Sequence, residues 1–432
     1  MTGHFYTNNL RMQSDRLEFQ ITQLENGIQT YYHDMDVPFF QISVIVPVGA
    51  TNDVLSSGLD RPGIAHLLEH MCLKRSELHP EVNSFNAIVT ASGGSMNAWT
   101  HDTYTEFFLT LPTVNQSKLL VQGFLSHIFT PLLDKLNIEK EKGIIRNEAA
   151  TDTFYPGENS VSKYRFTNWL PLALSSKEQM YGTPESLSLI TTNDLHELHE
   201  CYTTPQTKVL VGGSVNIDLI HQELSNILTK DCVLKQRCTA LNIIKKGSST
   251  IYDDVVSTPV LSWGGVSPRY TVSDYWAVNF ITELFTDSDF GLLYHWIRNE
   301  KNYTYDTAGL VFTEVDRGGW LIDIPLNSEA EALELISELD AQVDNWMSDD
   351  SAINRAKEAL LARHCYKYQT LTERMDVAIH SQYAFNKQLL EKDYIEWLQQ
   401  VSAESLRPKF ERYFSSDNTS TLIALPIEQI DK

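Results

Sequence analysis

The sequence predicts an α+β protein made of two similar halves. Runs rich in β-branched and aromatic residues alternate with segments of helical periodicity, and the order of these elements appears twice. A length of 432 residues with 42% hydrophobic content is enough for two sizeable cores. We therefore expect an N-terminal domain over residues 1–230, a mixed, polar linker over 231–249 and a C-terminal repeat domain over 250–432.

The first half opens with two β-rich runs, 28–32 and 41–46, which predict an extended hairpin because turn residues separate them. A helix that carries residues 65–71 is expected to follow. Pro62 suits the first turn of a helix, and Asp60 or Arg61 would then be the cap, Asp60 being the better suited. The remaining predicted elements are helices at 82–91, 117–133 and 135–151 and strands at 95–100, 103–111 and 209–213.

The second half repeats this order beyond the linker. Its predicted strands lie at 260–263, 306–312 and 319–324, and its predicted helices at 274–285, 292–300, 329–348 and 352–369. It contains no second His-x-x-Glu-His segment, so we expect no second metal site of the same kind.

A metal-binding pattern lies in the first predicted helix of the chain. His66, Glu69 and His70 are spaced i, i+3 and i+4, so they share one helical face, while the apolar residues between them turn to the core. Neutral imidazoles suit Zn²⁺, and a catalytic zinc needs three protein ligands and an open position. The helix at 135–151 carries Glu141 and Glu148 on one face, and Glu148 is the best third ligand.

Other histidines and cysteines are given structural roles. The segment from His196 to Glu200 fails the zinc pattern because its histidines are three apart, so it is interpreted as a solvated helix face capped by Asn193 or Asp194. The five cysteines are odd in number and scattered, which argues against a disulfide framework. Cys232 and Cys238 are too far apart for a CxxC motif and are expected to be free thiols. Cys72, two residues past His70, is expected to stay off the metal.

These motifs resemble one family of enzymes. The segment Gly63-Ile64-Ala65-His66-Leu67-Leu68-Glu69-His70-Met71, followed by Gly93-Gly94-Ser95-Met96-Asn97-Ala98-Trp99-Thr100 and by Glu148, is similar to the pitrilysin-like zinc peptidases, the inverzincins of family M16. The resemblance extends over essentially the whole chain and is strongest between residues 40 and 150. It implies the two-domain M16B type, with two repeated domains that are each an antiparallel sheet covered by helices.

The resemblance also implies roles for residues outside the zinc motif. The strand at 95–100 would be a sheet edge to which an extended peptide adds, with Asn97 and Ala98 as the nearest contacts. The segment 297–305 resembles the one whose arginine and tyrosine bind the substrate backbone, places that Arg298 and Tyr305 fill. Both side chains are suitable donors to a peptide carbonyl or a developing oxyanion.

The expected function is a zinc-dependent endopeptidase that takes peptides or small unfolded polypeptides into an enclosed chamber. One Zn²⁺ per chain on His66, His70 and Glu148 would lower the pKa of a water and polarise the scissile carbonyl. Glu69 would carry the proton from the water to the leaving amine, and Glu141 would orient a histidine. The rival interpretations are a non-catalytic or assembly subunit of the same fold, and one chain of an obligate heterodimer.

Composition limits the partners. A net charge of −22 disfavours the nucleic-acid backbone, and no stretch approaches the length of a membrane span. The first residues resemble neither a signal nor a transit peptide, so a cytoplasmic location is the default expectation. Because two-domain members of the family enclose their chamber as dimers, the resemblance implies a homodimer in which Arg298 and Tyr305 serve the partner's zinc.

Overall fold

The computed structural model describes residues 19–115, 117–151, 180–235, 247–253, 256–313, 317–367, 370–387 and 391–427. These residues form two compact units. With the gaps just given, the first unit holds residues 19–149, 180–235 and 370–380, and the second holds 150–151, 247–367 and 381–427. Residues 370–380 therefore belong to the first compact unit, and the predicted domain bounds stay a prediction.

The first unit is built on a six-stranded sheet. Its strands are β1 (Gln20–Gln23), β2 (Gln29–His33), β3 (Phe39–Val46), β4 (Ser95–Thr100), β5 (Thr105–Pro112) and β6 (Lys208–Gly213). They lie in the order β1-β2-β6-β3-β5-β4, so β4 is one edge. All neighbours are antiparallel except β2 and β6, which are parallel.

The predicted hairpin between the first two long strands is wrong. β6 lies between β2 and β3 and pairs with both. Val209, Leu210 and Val211 of β6 are fully buried, which is typical of a central strand covered on both faces. A continuous apolar run of this kind is most stable in the middle of a sheet. Here β6 takes that place and so separates β2 from β3, which are neighbours in sequence.

Helices cover one face of the first sheet. They are α1 (Ile64–Cys72), α2 (Ser84–Ala91), α3 (Lys118–Phe129), α4 (Lys135–Thr151), α5 (Pro184–Leu189), α6 (Thr192–His199) and α7 (Ile217–Ser225). On β5, Phe107, Leu109 and Leu111 join the core on this face, while Glu106 and Phe108 point to the other. The first three of these β5 side chains share one core with Leu67, Leu68 and Met71 of α1.

The second unit repeats the first in connectivity. Its strands β7 (Gly247–Asp253), β8 (Val260–Pro268), β9 (Ala308–Thr313), β10 (Arg317–Pro325) and β11 (Thr419–Pro426) lie in the order β7-β11-β8-β10-β9. The only parallel neighbours among these strands are β7 and β11, in the position that β2 and β6 hold in the first sheet. The predicted α+β pseudo-repeat is confirmed, with one parallel pair in each sheet as the difference from fully antiparallel sheets.

Helices of the second half follow the predicted order. They are α8 (Val272–Thr286), α9 (Leu292–His295), α10 (Glu329–Trp346), α11 (Asp350–Lys367), α12 (Leu371–Phe385), α13 (Glu391–Gln400) and α14 (Ala403–Tyr413). α9 continues into a π-helical turn over Trp296–Lys301, a form that often marks functional positions. β7 begins at Gly247, so the last residues of the predicted linker are already strand.

One expectation about the cysteines is wrong. Cys232 is bonded to Cys201 in a disulfide whose Cα atoms are 5.3 Å apart. The two residues are 31 positions apart, so their spacing gave no sign of proximity. Cys201 lies after α6, and the chain returns to it after α7.

Across the described ranges, every helix is too short or too polar to traverse a lipid bilayer.

Candidate metal centre

Helix α1 presents the first part of the site. His66, Glu69 and His70 lie on one face because their spacing follows the helical turn, and they are mostly buried. Leu67, Leu68 and Met71 on the other side are fully buried in the core of the first unit. Burial of each such side chain stabilises the packing of this helix by about 1.5–3 kcal/mol.

The start of α1 differs from the predicted cap. Gly63, and not Asp60 or Arg61, is the N-cap, with a left-handed φ of 85°. A Cβ on Gly63 would lie 2.7 Å from the backbone nitrogen of Gly182, which also has positive φ. The entry to α1 therefore depends on two glycine backbones in close approach, a tertiary constraint that local cap preferences do not contain.

Helix α4 supplies the third potential ligand. The Glu148 Oε2 atom lies 3.8 Å from His66 Nε2 and 3.5 Å from His70 Nε2. One ligand atom from each of His66, His70 and Glu148 lies within 4.8 Å of the other two. Two imidazole nitrogens and one carboxylate oxygen form the donor set of a catalytic zinc, and the 43% exposure of the Glu148 side chain leaves an open side.

A second carboxylate supports His70 from behind. Glu141 Oε2 lies 3.1 Å from His70 Nδ1, and its other oxygen lies 3.2 Å from Lys74 Nζ. This contact leaves Nε2 of His70 directed at Glu148, as in the carboxylate–histidine pairs that fix the orientation of metal-ligating rings. Lys74 is one of the residues that sequence reasoning missed, although it stands one turn past His70.

The electrostatics of the cluster favour a cation. Burial lowers the pKa of His70, but hydrogen bonds with Glu141 and Glu148 outweigh it and raise the pKa to about 9. Burial raises the pKa of Glu148, but its hydrogen bond with His70 and the charges of both histidines outweigh that effect and lower it. The residues thus fit a divalent ion, which would take the place of the proton held between these groups.

Glu69 lies beside this cluster without belonging to the ligand set. It is only 5% exposed, and burial raises its pKa against the opposing effects of His70 and of hydrogen bonds from Thr100. The Thr100 hydroxyl donates to Glu69 Oε2 over 2.8 Å. A carboxylate whose pKa is raised is suited to accept and return a proton. Thr100 was not singled out by sequence reasoning.

Strand β4 is an edge of the described sheet, as the resemblance implied. The backbone N–H of His101 donates to the backbone carbonyl of Tyr104. From this pair, hydrogen-bonded and non-hydrogen-bonded pairs alternate along β4 and β5. Asn97 faces Phe108 in a hydrogen-bonded pair, whereas Ala98 directs its backbone N–H and C=O away from β5. Ala98 can therefore contact a ligand through its backbone, and Asn97 through its exposed side chain.

Arg298 and Tyr305 lie together in the second unit. Arg298 Nη1 donates to the hydroxyl of Tyr294 and, over 3.1 Å, to the backbone carbonyl of Tyr305. The Arg298 guanidinium carbon is 4.3 Å from the centroid of the Tyr305 ring, and Tyr305 is 78% exposed. Tyr294, four residues before Arg298 on the same helical face, is a partner that sequence reasoning missed.

The segment around His196 has structural contacts and holds no metal grouping within the described residues. Glu197 accepts hydrogen bonds from Ser56 and Ser57, and His196 is exposed. His199 contacts the backbone carbonyl of Ile128 over 2.8 Å, and burial lowers its pKa to about 4. Contrary to expectation, this face is therefore only partly solvated, and its cap is Thr191. Cys72, fully buried in the core, stays outside the metal grouping as expected.

Two family models match the chain. One, described as insulinase (peptidase family M16), matches residues 31–168, and the other, described as the peptidase M16 inactive domain, matches residues 190–360. Among curated proteins, the peroxisomal insulin-degrading enzyme-like 1 of Arabidopsis thaliana is 35% identical over 99 residues, 23% of this chain and 10% of that protein. Protease 3 of Escherichia coli K12 is 30% identical over 141 residues, 32% of this chain and 14% of that protein.

The chain thus spans only a small part of the length of the curated relatives that it matches. Solved structures share its fold over 95% of the chain. A protease from Helicobacter pylori has a TM-score of 0.80 at 17% identity and is covered completely. Pitrilysin has a TM-score of 0.69 at 15% identity and is covered over 45% of its length. Because both models of one family match, and together they cover more than half of the sequence, the chain belongs to peptidase family M16, the pitrilysin-like peptidases.

Proposed function

We propose that this chain is a zinc-dependent endopeptidase. The observation that carries the proposal is the convergence of His66, His70 and Glu148 within 4.8 Å, beside the buried carboxylate of Glu69. A zinc ion bound there would supply Lewis acidity, lowering the pKa of a water molecule and polarising a peptide carbonyl. One ion per chain matches the single grouping of this kind among the described residues.

Within this proposal Glu69 moves the proton. It accepts a proton from the attacking water and delivers it to the nitrogen of the leaving amine, so that the carboxylate is regenerated after each cycle. Glu141 keeps Nε2 of His70 directed at the ligand position by its contact with Nδ1. Both roles use groups that are at least nine-tenths buried and therefore held in place by their surroundings.

Strand β4 would hold the substrate. A peptide added to this edge exchanges hydrogen bonds with the outward-facing backbone groups of Ala98 and meets the side chain of Asn97. Because such pairing reads backbone, the substrate class is peptides and unfolded polypeptides of varied sequence. Arg298 and Tyr305 would donate to the carbonyl oxygen as negative charge develops on it. The enclosed chamber that the resemblance implies is part of the proposal.

The test combines metal analysis with a quenched fluorescent peptide assay. We expect about one zinc per chain, cleavage that a chelator abolishes and zinc restores, and loss of cleavage in Glu69→Gln with zinc retained. The matched control is His196→Ala, which removes an exposed histidine from the metal-like segment of α6 and should change neither property. Stoichiometric zinc without Glu69-dependent cleavage of any peptide would instead support the non-catalytic subunit.

We further propose a homodimer in which Arg298 and Tyr305 act on the partner's metal centre. In a mixed dimer of the Glu69→Gln and Arg298→Ala chains, one metal centre would have both an intact Glu69 and an intact Arg298 from the other chain. Such mixtures should recover part of the activity that each variant has lost. Absence of recovery in mixed dimers verified by mass would count against sharing between chains. Activity that appears only with a second, different polypeptide would support the obligate heterodimer.

The cytoplasmic location stays a prediction. The disulfide between Cys201 and Cys232 weighs against it, because cystines persist mainly in oxidising compartments.

A further inference from the structure

Thr100 is the last residue of the edge strand β4 and lies against helix α1, which carries His66, Glu69 and His70. Its side chain is half-buried and shares the face of β4 on which Ala98 packs into the core. From this position its hydroxyl donates to Glu69 Oε2 over 2.8 Å. The end of the strand that would hold a peptide is therefore bonded to the carboxylate that would carry the proton.

The backbone of Thr100 faces away from the neighbouring strand. Thr100 pairs with Thr105 in a position whose N–H and C=O point away from β5, because the hydrogen-bonded pairs lie on either side at Trp99 and His101. The outward-facing backbone of β4 and the hydroxyl that holds Glu69 therefore belong to the same residue.

The outward-facing residues of β4 are Met96, Ala98 and Thr100. A peptide added to this edge would pair alongside the residue whose hydroxyl holds Glu69. The position of the peptide and the direction of the carboxylate would therefore be linked through Thr100.

We propose that Thr100 is a positioning residue that orients Glu69 relative to a peptide bound on β4. The inference rests on the proposed peptidase function and deepens it. By holding Oε2, Thr100 leaves Oε1 of Glu69 to face the water and the leaving amine. Without the hydroxyl the glutamate keeps its place on α1 but its carboxylate can rotate, and small misplacements of catalytic groups are costly.

The experiment compares Thr100→Val and Thr100→Ser in the full chain. Valine keeps the β-branched shape that suits a strand but removes the donor, whereas serine keeps the hydroxyl. We expect Thr100→Val to lower kcat by about 10- to 100-fold, with KM within about 3-fold of wild type and zinc content unchanged. Thr100→Ser should stay within about 3-fold of wild type in kcat. Thr110→Val, the same change on β5, is the control and should leave kcat unchanged.

Each other outcome overturns the inference. Wild-type kcat in Thr100→Val would show that the hydroxyl does not position the base. A loss of zinc in Thr100→Val, or an equal loss of kcat in Thr100→Ser, would show that the residue serves the local fold. If the wild-type protein itself shows no Glu69-dependent cleavage, the proposed function fails and the inference falls with it, a result distinct from the first two.

Discussion

Glu106 provides a test of the electrostatics of the first unit. It lies on β5, is 5% exposed, and points to the face of the sheet opposite the one that α1 covers. Residues Leu371 and Met375 of α12 lie against Gly212 on this face, and Asp376 of the same helix is near enough to interact with Glu106. Burial raises the pKa of Glu106 to about 7, and the charge of Asp376 adds to the rise. A hydrogen bond from Ser43 opposes it.

The sign of the effect follows from proton binding. Between the ordinary glutamate pKa of 4.5 and about 7, folded Glu106 keeps a proton that the unfolded chain has released. The contribution of Glu106 to the free energy of unfolding is therefore largest below pH 4.5. It falls as the pH rises from 4.5 to about 7, and above that pH it is constant. The interval of about 2.5 pH units corresponds to about 3 kcal/mol at most.

The perturbation is Glu106→Gln, which keeps the size of the side chain and removes its titration. The difference in free energy of unfolding between Glu106→Gln and wild type should change in favour of the variant by up to about 3 kcal/mol from pH 4.5 to pH 8. The assay is a urea series at each pH with pulsed hydrogen exchange, read on peptides of β3 and β5. This readout isolates the first unit, since a protein of two units need not unfold in one step.

Glu25→Gln, a change at an exposed glutamate of the same unit, is the matched control. Its unfolding midpoint should follow that of wild type at every pH. Parallel pH profiles for Glu106→Gln and wild type would refute the assignment of a proton to Glu106 in the folded state. A difference that grows toward low pH would refute the sign.

Three further predictions concern the disulfide, the start of α1 and the support of His70. Replacing both Cys201 and Cys232 by serine should destabilise the first unit by about 3–4 kcal/mol for a 31-residue loop, and a reductant should lower the melting temperature of wild type but not of the variant; equal responses to reductant would contradict the bond. Gly63→Ala and Gly58→Ala both introduce a side chain at positive φ, but only the former meets backbone, at 2.7 Å. Gly58→Ala should therefore lower the free energy of unfolding by about 1 kcal/mol, and Gly63→Ala should lower it clearly more and also reduce the amount of bound zinc. Unfolding curves and metal analysis measure both effects, and equal destabilisation by the two variants would exclude the close approach as the cause. Glu141→Gln should weaken zinc binding by about 10- to 100-fold in chelator competition, with Glu77→Gln as the exposed control; unchanged affinity would remove Glu141 from the site.

Local patterns were sufficient for many elements of this protein. The strand at 95–100 and the helix at 135–151 have the predicted bounds, because alternation on the strand and one-sided periodicity on the helix are properties of neighbouring residues. The place of β6 between β2 and β3 could not be read in this way. A central strand is chosen by partners that are 163 to 179 residues away in the sequence, and periodicity contains no information about them.

The candidate site shows the same division. The spacing of His66, Glu69 and His70 placed them on one face of one helix from sequence alone, and the resemblance to pitrilysin-like peptidases is confirmed by the family models. Individual contacts were not visible: Thr100 with Glu69, Tyr294 with Arg298, and Gly63 against Gly182. Tyr294 and Arg298 share a helical spacing, but nothing in that spacing says that the tyrosine hydroxyl is the partner.

The sequence by itself determined the properties that short-range geometry sets: the two-part α+β order, the face of α1 that carries the ligands, and the pairing of β4 with β5. The tertiary structure decided contacts that neither spacing nor resemblance indicated, namely Thr100 with Glu69, Tyr294 with Arg298, and Cys201 with Cys232. The physical reason is that side-chain direction follows from backbone periodicity over a few residues, whereas contact between distant segments depends on how whole sheets and helices pack.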